Sequence, residues 1–347
     1  MGIFGTILIS ILVFGFLIFI HEFGHYIFAR LFKVTINEFS IGMGPKLLWY
    51  DSKKTGIRYA ISAVPFGGYV AMAGESEESD DPNSFDKKPA WQRFIITIAG
   101  AAVNIVAGYI AMIVLTSMVN LGSTVVSGFK DTDYPVSSAD SGLSVGDEIV
   151  RVDGKRVTML DDLYYEVMRR GNKPIDLTVI RDGAEVVLHD VEFPQGTESG
   201  QTFGVLDFMV FGVKKDFGSV MKYSFSKTVL TMRMCWESLY DLITGRYTVA
   251  AVSGPVGITE AIGDAAREGS LYLFNIITII SINLGVMNLM PIPALDGGRM
   301  ITVLFEMITG KRVPAKIENT INAVGLAILL GLSVLIMIKD VIQIIIG

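Results

Sequence analysis

Residues 3–29 read IFGTILISILVFGFLIFIHEFGHYIFA. This apolar segment exceeds the ~20 residues that a helix needs to cross the hydrocarbon of a bilayer. Its only ionisable side chains are one tyrosine, His21, Glu22 and His25. Such groups are costly inside a membrane span and therefore indicate function. No lysine or arginine precedes Arg30, so the segment lacks the positive start of a signal peptide, and we predict a retained transmembrane helix.

Residues 21–25, His-Glu-Phe-Gly-His, predict a metal site. Side chains four residues apart lie on one face of a helix, so His21 and His25 can bind the same cation. Glu22 projects beside them, where a carboxylate can take a proton from metal-bound water, as in H-E-x-x-H metallohydrolases. The alternatives are chance polar residues at the end of a span, or a structural pair bonded to neighbouring helices.

The composition indicates an integral membrane protein. The chain has 347 residues, of which 51% are hydrophobic and 18% charged, with a mean hydropathy of +0.50, which is too apolar for an ordinary soluble protein. Three further spans are predicted near residues 94–119, 271–295 and 321–338. The single Cys235 excludes an internal disulfide. No basic patch with interleaved aromatics suggests nucleic acid binding.

The distribution of positive charge predicts the orientation in the membrane. Nine Lys and Arg residues lie between positions 30 and 93, and four lie between positions 299 and 316. Short loops rich in Lys and Arg stay in the cytosol. The N-terminus, the long stretch between the second and third spans, and residues 339–347 then lie outside, and residues 21–25 lie near the cytosolic end of the first span.

The first predicted cytosolic loop contains a hairpin. Lys46–Tyr50 and Ile57–Val64 are β-prone runs joined by turn-forming residues. Both are unusually apolar, so we expect the hairpin to dip toward the membrane near the metal. Its edge either holds an extended peptide by strand addition or merely covers a helix. The acidic residues 75–86 that follow read as a solvated tether.

A polar, strand-rich stretch lies between the second and third spans. Residues 148–154 and 175–179 alternate as half-buried strands, and Asp182-Gly183 predicts a tight hairpin turn. Asp161 is a candidate N-cap for a helix that runs to about Arg170. His189 reads as an ordinary surface histidine. Residues 216–245 mix apolar and charged positions, which predicts an amphipathic helix on the outer membrane surface.

Residues 288–298, NLMPIPALDGG, form the second decisive motif. Pro291 and Pro293 interrupt regular helix, which is tolerated at membrane depth only where protein or a polar cavity surrounds the freed backbone groups. Asp296 follows at once. Two imidazoles leave a catalytic zinc one protein ligand short, and a carboxylate from another helix completes it. The alternative is that Asp296 caps a helix.

Together these motifs resemble the site-2 protease family of intramembrane zinc metalloproteases. The resemblance covers HEFGH, the apolar hairpin, Gly254-Pro255-Val256-Gly257 and the N-x-x-P-x-x-x-L-D-G pattern at residues 288–297. Residues 141–149, SGLSVGDEI, followed by 152–154, VDG, are similar to a circularly permuted bacterial PDZ domain. One departure is Ala101, where the family often has proline.

The resemblance implies a polytopic α-helical membrane protein with about four transmembrane helices, a membrane-associated β-hairpin and an inserted α+β PDZ domain. Residues 1–122 would hold two spans and the hairpin, 123–206 the PDZ domain, 207–270 the surface helix and linker, and 271–347 the last two spans. The chain would be a monomer in the bacterial inner membrane, with the PDZ domain outside the cytoplasm. Its candidate peptide-binding strand comprises Thr124, Val125, Val126 and Ser127.

The implied activity is hydrolysis of a peptide bond in or near the transmembrane segment of a single-pass regulatory protein, such as an anti-sigma factor, which releases a cytosolic fragment. Zinc would be held by His21, His25 and Asp296, with Glu22 as the general base. Asn288 would hydrogen-bond the substrate backbone or the developing oxyanion. The PDZ domain would bind a peptide end. Two other interpretations stay open: an ion or solute transporter, and a non-catalytic PDZ scaffold in the membrane.

Overall fold

A computed structural model describes residues 2–75, 77–131, 134–198, 201–246 and 253–346. The chain divides into two compact units, one of residues 1–111 with 231–347 and one of residues 112–230. The helices are α1 (Ile3–Leu31), α2 (Ala90–Met118), α3 (Leu160–Arg170), α4 (Phe217–Ile243), α5 (Pro255–Glu268), α6 (Ser270–Asn288), α7 (Asp296–Thr309) and α8 (Ala315–Ile346), with a short 3₁₀ helix at Phe85–Lys87. The strands are β1 (Ile36–Asp51), β2 (Arg58–Met72), β3 (Leu121–Phe129), β4 (Glu148–Val152), β5 (Lys155–Arg156), β6 (Ile175–Arg181), β7 (Ala184–Val191), β8 (Gln195–Glu198), β9 (Gln201–Gly204) and β10 (Phe208–Val213).

Four helices in the described chain are long and apolar enough to cross a membrane: α1, α2, α6 and residues 315–342 of α8. The prediction of a membrane protein with about four spans is confirmed at this level. The third span ends at Asn288, earlier than the predicted Leu295, because Pro291 and Pro293 cannot continue the helix. The fourth begins at Ala315, directly after Pro314, where proline favours a helix start.

The predicted hairpin forms but is longer than expected, since β1 and β2 fold back on each other. Residues 36–41 of β1 pair with residues 58–61 of β2 on one side and with residues 68–72 of β2 on the other. Gly42 and Gly67 have φ values of 86° and 104°, which other residues rarely adopt. Residues 68–72 therefore form the edge of a small sheet, which packs onto α1 through an apolar cluster.

The α5 helix begins within the Gly254-Pro255-Val256-Gly257 motif. Gly254 is its N-cap and Pro255 its first residue, the helix position that proline favours. Asp340 of α8 accepts hydrogen bonds from the backbone N–H groups of Gly254 (2.9 Å) and Gly257 (3.1 Å). These bonds satisfy two donors that a helix N-terminus leaves unpaired. The α5 helix then packs against α1 and α6 through an apolar cluster that includes Leu17 and Ile262.

In residues 112–230 an antiparallel sheet has the strand order β10-β3-β4-β6-β7, with β5 paired to β4 and a separate β8-β9 hairpin. Asp182 and Gly183 have φ values of 51° and 80°, as a two-residue hairpin turn requires. The α3 helix begins at Leu160, without a side-chain cap at Met159, so the prediction that Asp161 caps this helix is wrong. Instead, Asp162 accepts hydrogen bonds from the N–H and hydroxyl of Thr158.

Candidate metal centre

His21 and His25 lie together on the buried face of α1. Their Nε2 atoms are 3.3 Å apart, and each side chain is only 11% exposed. The neighbouring α2 helix approaches closely because Gly24 has no side chain: a Cβ there would lie 2.6 Å from the carbonyl oxygen of Ala99. Gly100 of α2 leaves the space that both imidazoles occupy, since a Cβ on it would lie 2.4 Å from His25 Nε2.

Asp296 reaches the two imidazoles from the first residue of α7. Its Oδ2 lies 3.1 Å from His21 Nε2 and 3.3 Å from His25 Nε2. The turn before it is unusual, because Ala294 has a φ of 73°, a strained backbone conformation for a residue with a side chain. The N–H of Ala294 donates to Oδ1 of Asn322 in α8 at 3.1 Å. This bond fixes the turn that delivers the carboxylate.

The orientation of the His25 ring is fixed by the backbone of α2. Its Nδ1 lies 2.8 Å from the carbonyl oxygen of Ile96. A carbonyl oxygen only accepts hydrogen bonds, so Nδ1 carries a proton, and in the neutral imidazole Nε2 then presents a lone pair. Because Nε2 is the atom that faces His21 and Asp296, this pairing prepares it to bind a metal.

The three side chains fit a divalent metal ion. One ligand atom from each of His21, His25 and Asp296 lies within 4.8 Å of the others. Asp296 Oδ2 is buried and accepts no hydrogen bond of good geometry within the described chain, which is a costly state for a carboxylate oxygen without a further partner. Two imidazole nitrogens and one carboxylate form the three-ligand set of catalytic zinc sites, which leave a fourth position open.

Glu22 lies beside these ligands at the wall of a cavity of about 470 Å³. Gly68 of β2 makes room for it, since a Cβ on this glycine would lie 2.9 Å from Glu22 Cγ. The cavity is lined by His21, Glu22, His25 and Asp296, by residues 68–72 of β2, and by Glu75, Phe85, Ile96, Thr97, Ala294 and Arg299. The four predicted catalytic and metal-binding groups therefore share one space.

An ion pair connects two walls of this cavity. Arg299 of α7 donates a short hydrogen bond to the carboxylate of Glu75 and a second bond to its backbone carbonyl. Glu75 also accepts from the N–H of Met72 at the end of β2. Residues 75–86 thus begin with a fixed contact rather than the free tether that the sequence suggests.

The other predicted site residues lie elsewhere. Asn288 is the last residue of α6, and its Nδ2 donates to the carbonyl of Leu284 at 3.0 Å; it is not among the residues that line the cavity. Thr124, Val125, Val126 and Ser127 belong to β3, which lies between β10 and β4. This strand therefore has a partner on both sides, whereas binding of a peptide by strand addition needs a free edge. Within the described residues, the neighbouring strand β10 lies at the end of the sheet and has a free edge.

Sequence reasoning missed three groups of α2 at the centre. These are the carbonyl of Ile96, the space above Gly100, and Asn104, which is fully buried with its Nδ2 3.3 Å from His21 Nδ1. A backbone carbonyl carries no sequence signal. The available signal was Asn104 itself, a polar residue four positions after a glycine in an apolar span, since such residues face the protein interior.

The chain matches a known protein family over most of its length. Residues 9–332 correspond to Peptidase family M50. A predicted zinc metalloprotease of Clostridium acetobutylicum is 37% identical over 341 residues, which cover 98% of each chain. One of Clostridium perfringens is 35% identical, covering 97% of this chain and 98% of the relative.

A more distant relative carries a more specific name. The regulator of sigma-W protease RasP of Bacillus subtilis is 26% identical over 418 aligned positions, which cover 97% of this chain and 98% of RasP. The alignments thus run from end to end in both chains. The sequence similarity therefore extends beyond the residues that line the cavity to nearly the whole chain.

Proposed function

This chain belongs to peptidase family M50, the site-2 protease family, and is a zinc metalloprotease of a membrane; from this premise we propose that it cleaves a peptide bond in or near the transmembrane segment of a single-pass membrane protein. The observation that carries the proposal is the convergence of His21, His25 and Asp296 on one cavity at the end of a membrane-spanning helix. A substrate of the regulatory type, such as a membrane-anchored anti-sigma factor, agrees with the name of the Bacillus relative.

In this proposal His21, His25 and Asp296 hold the zinc. When bound, zinc supplies a Lewis acid that polarises the scissile carbonyl and makes a water molecule acidic near neutral pH. Glu22 takes the proton of that water and passes it to the leaving amine. The carboxylate of Glu22 is suited to this because it lines the same cavity without being one of the three converging ligands.

Residues 68–72 would hold the substrate as an added strand. A peptide bond within a helix is shielded by its own turn, so the substrate must unwind locally before hydrolysis. An unwound segment has free N–H and C=O groups, which an open sheet edge can bind. The support is that these residues pair with β1 on one side only and line the cavity beside Glu22. Gly68 would let the peptide approach closely.

A role for Asn288 in substrate binding requires a side-chain movement. Its Nδ2 is bonded to Leu284, the ordinary position for a polar group in the last turn of a helix. We retain Asn288 as a candidate that would exchange this bond for one with the substrate backbone. The exchange costs little, because one hydrogen bond replaces another.

The strand-rich part of residues 112–230 would be the PDZ domain that docks a peptide end outside the cytoplasm. The proposal rests on residues 141–149 and on an antiparallel sheet with one helix, α3. Two details of the expected organisation change. The domain would extend from residue 123 to the end of β10 at Val213, since β10 pairs with β3. The added strand would lie along β10 rather than along Thr124–Ser127.

The remaining segments follow the predicted organisation. Residues 1–122 and 271–347 would supply the spans, and α4 would lie along the outer surface of a bacterial inner membrane, with the metal centre near its cytosolic side. The support for this orientation is the positive charge of the two short loops. A single copy contains all the groups that the mechanism uses, so we propose that a monomer is active.

The test is cleavage of a single-span substrate by the full chain in lipid vesicles. Glu22→Gln should lower the cleavage rate about 10²–10⁴-fold, the usual contribution of a general base, without loss of zinc. His189→Ala is the matched control, because His189 is exposed and lies in the other unit. Cleavage at the native rate by the Glu22→Gln chain would contradict the proposal. A change in ion flux without proteolysis would favour a transporter instead.

A further inference from the structure

We propose that Asn104 is a positioning residue that holds His21 in the tautomer needed to bind metal through Nε2. This inference rests on the proposed metal centre and adds to it a group that touches neither metal nor substrate. Asn104 lies in α2, is fully buried, and places its amide against His21 Nδ1. No residue of the H-E-x-x-H or L-D-G motifs fills this role for His21.

The two imidazoles have different partners on their far sides. His25 donates its Nδ1 proton to the carbonyl of Ile96, and a carbonyl fixes one tautomer permanently. His21 also presents Nε2 to the centre, 3.1 Å from Asp296. A neutral imidazole that binds metal through Nε2 carries its proton on Nδ1. That proton points at the side-chain amide of Asn104.

An amide meets this proton in only one of its two orientations. In the structure Nδ2 of Asn104 faces His21 Nδ1 at 3.3 Å, while the amide oxygen Oδ1 is buried without a hydrogen-bond partner in the described chain. The two orientations of an amide are nearly identical in shape. Rotation by half a turn brings Oδ1 to the imidazole, where it accepts the Nδ1 proton.

Asparagine therefore suits both states of the centre. Without metal, His21 Nε2 carries the proton and faces Asp296 Oδ2 at 3.1 Å, and Nδ1 accepts from the Asn104 amide. With metal, the proton is on Nδ1, Nε2 binds the ion, and the amide oxygen accepts. The number of protons on His21 is the same in both states. Leucine serves neither state, and aspartate serves only the metal-bound one.

The backbone around Asn104 is held in register with the centre. Gly100, one turn earlier on α2, leaves the space for both Nε2 atoms. The carbonyl of Asn104 accepts a hydrogen bond from Ser281 Oγ of α6 at 2.9 Å. This bond fixes the backbone of Asn104 but does not touch its amide. Ser281 therefore provides a control that separates helix packing from the contact with His21.

The experiment measures zinc affinity by competition with a chelator, using the full chain in detergent. Asn104→Leu should weaken zinc binding about 10–100-fold, the usual effect of losing the partner of a metal-binding histidine. Asn104→Asp should bind zinc within about threefold of the native chain, because a carboxylate accepts the Nδ1 proton equally well. Ser281→Ala should also stay within about threefold, since it spares this contact.

A second measurement on the native chain does not depend on any variant folding. The protein has 3 histidines, so ¹⁵N-histidine spectra resolve each ring. With zinc bound, His21 should be protonated at Nδ1; a proton-free Nδ1 would overturn the proposal. Native-like zinc affinity of the Asn104→Leu chain would overturn it as well. No zinc binding by the native chain would instead overturn the metal centre itself, and this proposal with it.

Discussion

Both units of the molecule bury apolar clusters, but they differ in the polar groups that they bury. In residues 112–230 the interior is an apolar cluster that includes Ile149, Leu163 and Val179, and the buried carboxylate of Asp147 is paired with Arg181. In α1 of the other unit, Leu12 is 63% exposed, as a lipid-facing residue should be, while both its histidines are buried. Burial therefore stabilises both units through hydrophobic contact, and in the unit that contains α1 it also brings together three side chains that could hold a metal ion.

The largest effect is expected from a substitution that fills the space beside the imidazoles. Gly100→Ala should abolish stoichiometric zinc binding and lower cleavage at least about 100-fold, because its Cβ would lie 2.4 Å from His25 Nε2. The measurements are metal content and cleavage rate. Gly15→Ala, in α1 with nothing within 4 Å of the added carbon, should change neither. Full zinc binding by the Gly100→Ala chain would contradict the packing described for the centre.

A smaller effect is expected on stability, where truncation of a buried leucine should cost more than truncation of a lipid-facing one. Leu163→Ala should destabilise the unit of residues 112–230 by about 2–5 kcal/mol, because it leaves a cavity in a closed apolar core. Leu12→Ala, whose side chain faces outward, should change the stability of its own unit by less than about 0.5 kcal/mol. Hydrogen exchange of the full chain measures both. Equal losses of stability from the two substitutions would contradict the difference in burial between Leu163 and Leu12.

A substitution of Asp340 tests whether a buried polar group in the unit that contains α1 can be purely structural. Asp340→Leu should lower stability by about 1–3 kcal/mol, because it leaves the N–H groups of Gly254 and Gly257 unpaired. Zinc content should stay at the native value, since the contact is structural. Asp264→Asn is the control for lost charge, because Asp264 is an exposed carboxylate on α5, the helix that begins after Gly254. Loss of zinc from the Asp340→Leu chain would place Asp340 in the functional group instead.

The smallest effect is a pH dependence confined to the unit of residues 112–230. Burial alone raises the pKa of Asp147, but hydrogen bonds from Arg181 and from the N–H of Ser144 hold it below its ordinary value. A carboxyl with a lowered pKa stabilises the fold above its unfolded pKa of about 4. This contribution is therefore lost as the pH falls below that value.

The free energy of unfolding of residues 112–230, measured by hydrogen exchange in the full chain, should fall between neutral and acidic pH. Asp147→Asn should remove this part of the pH dependence. The same pH dependence of this unit in the native and Asp147→Asn chains would show that Asp147 is not its source.

The sequence predicted the spans and the converging ligands because both depend on local chemistry. A run of apolar residues defines a span, and residues four apart share a helix face, so His21 and His25 needed no tertiary information. Asp296 required only the assumption that two spans run in the same direction. Proline at positions 291 and 293 also set the end of the third span, although the prediction extended it too far.

The features that the sequence did not predict depend on tertiary pairing. Strand order is a long-range property, so nothing local indicated that β10 covers Thr124–Ser127 and leaves them inside the sheet. The fold-back of β1 against two parts of β2 is of the same kind. The partners of the imidazoles on α2 became visible only when Gly24 and Gly100 brought the two helices together.

The most direct test of the proposed metal centre is the zinc content of four purified chains. The native and Glu22→Gln proteins should each bind one equivalent, because Glu22 is the proposed base and not a ligand. His25→Ala and Asp296→Ala should bind far less, since two ligands hold zinc poorly. Zinc retained at one equivalent by both ligand variants, or absent from the native protein, would contradict the metal centre of His21, His25 and Asp296.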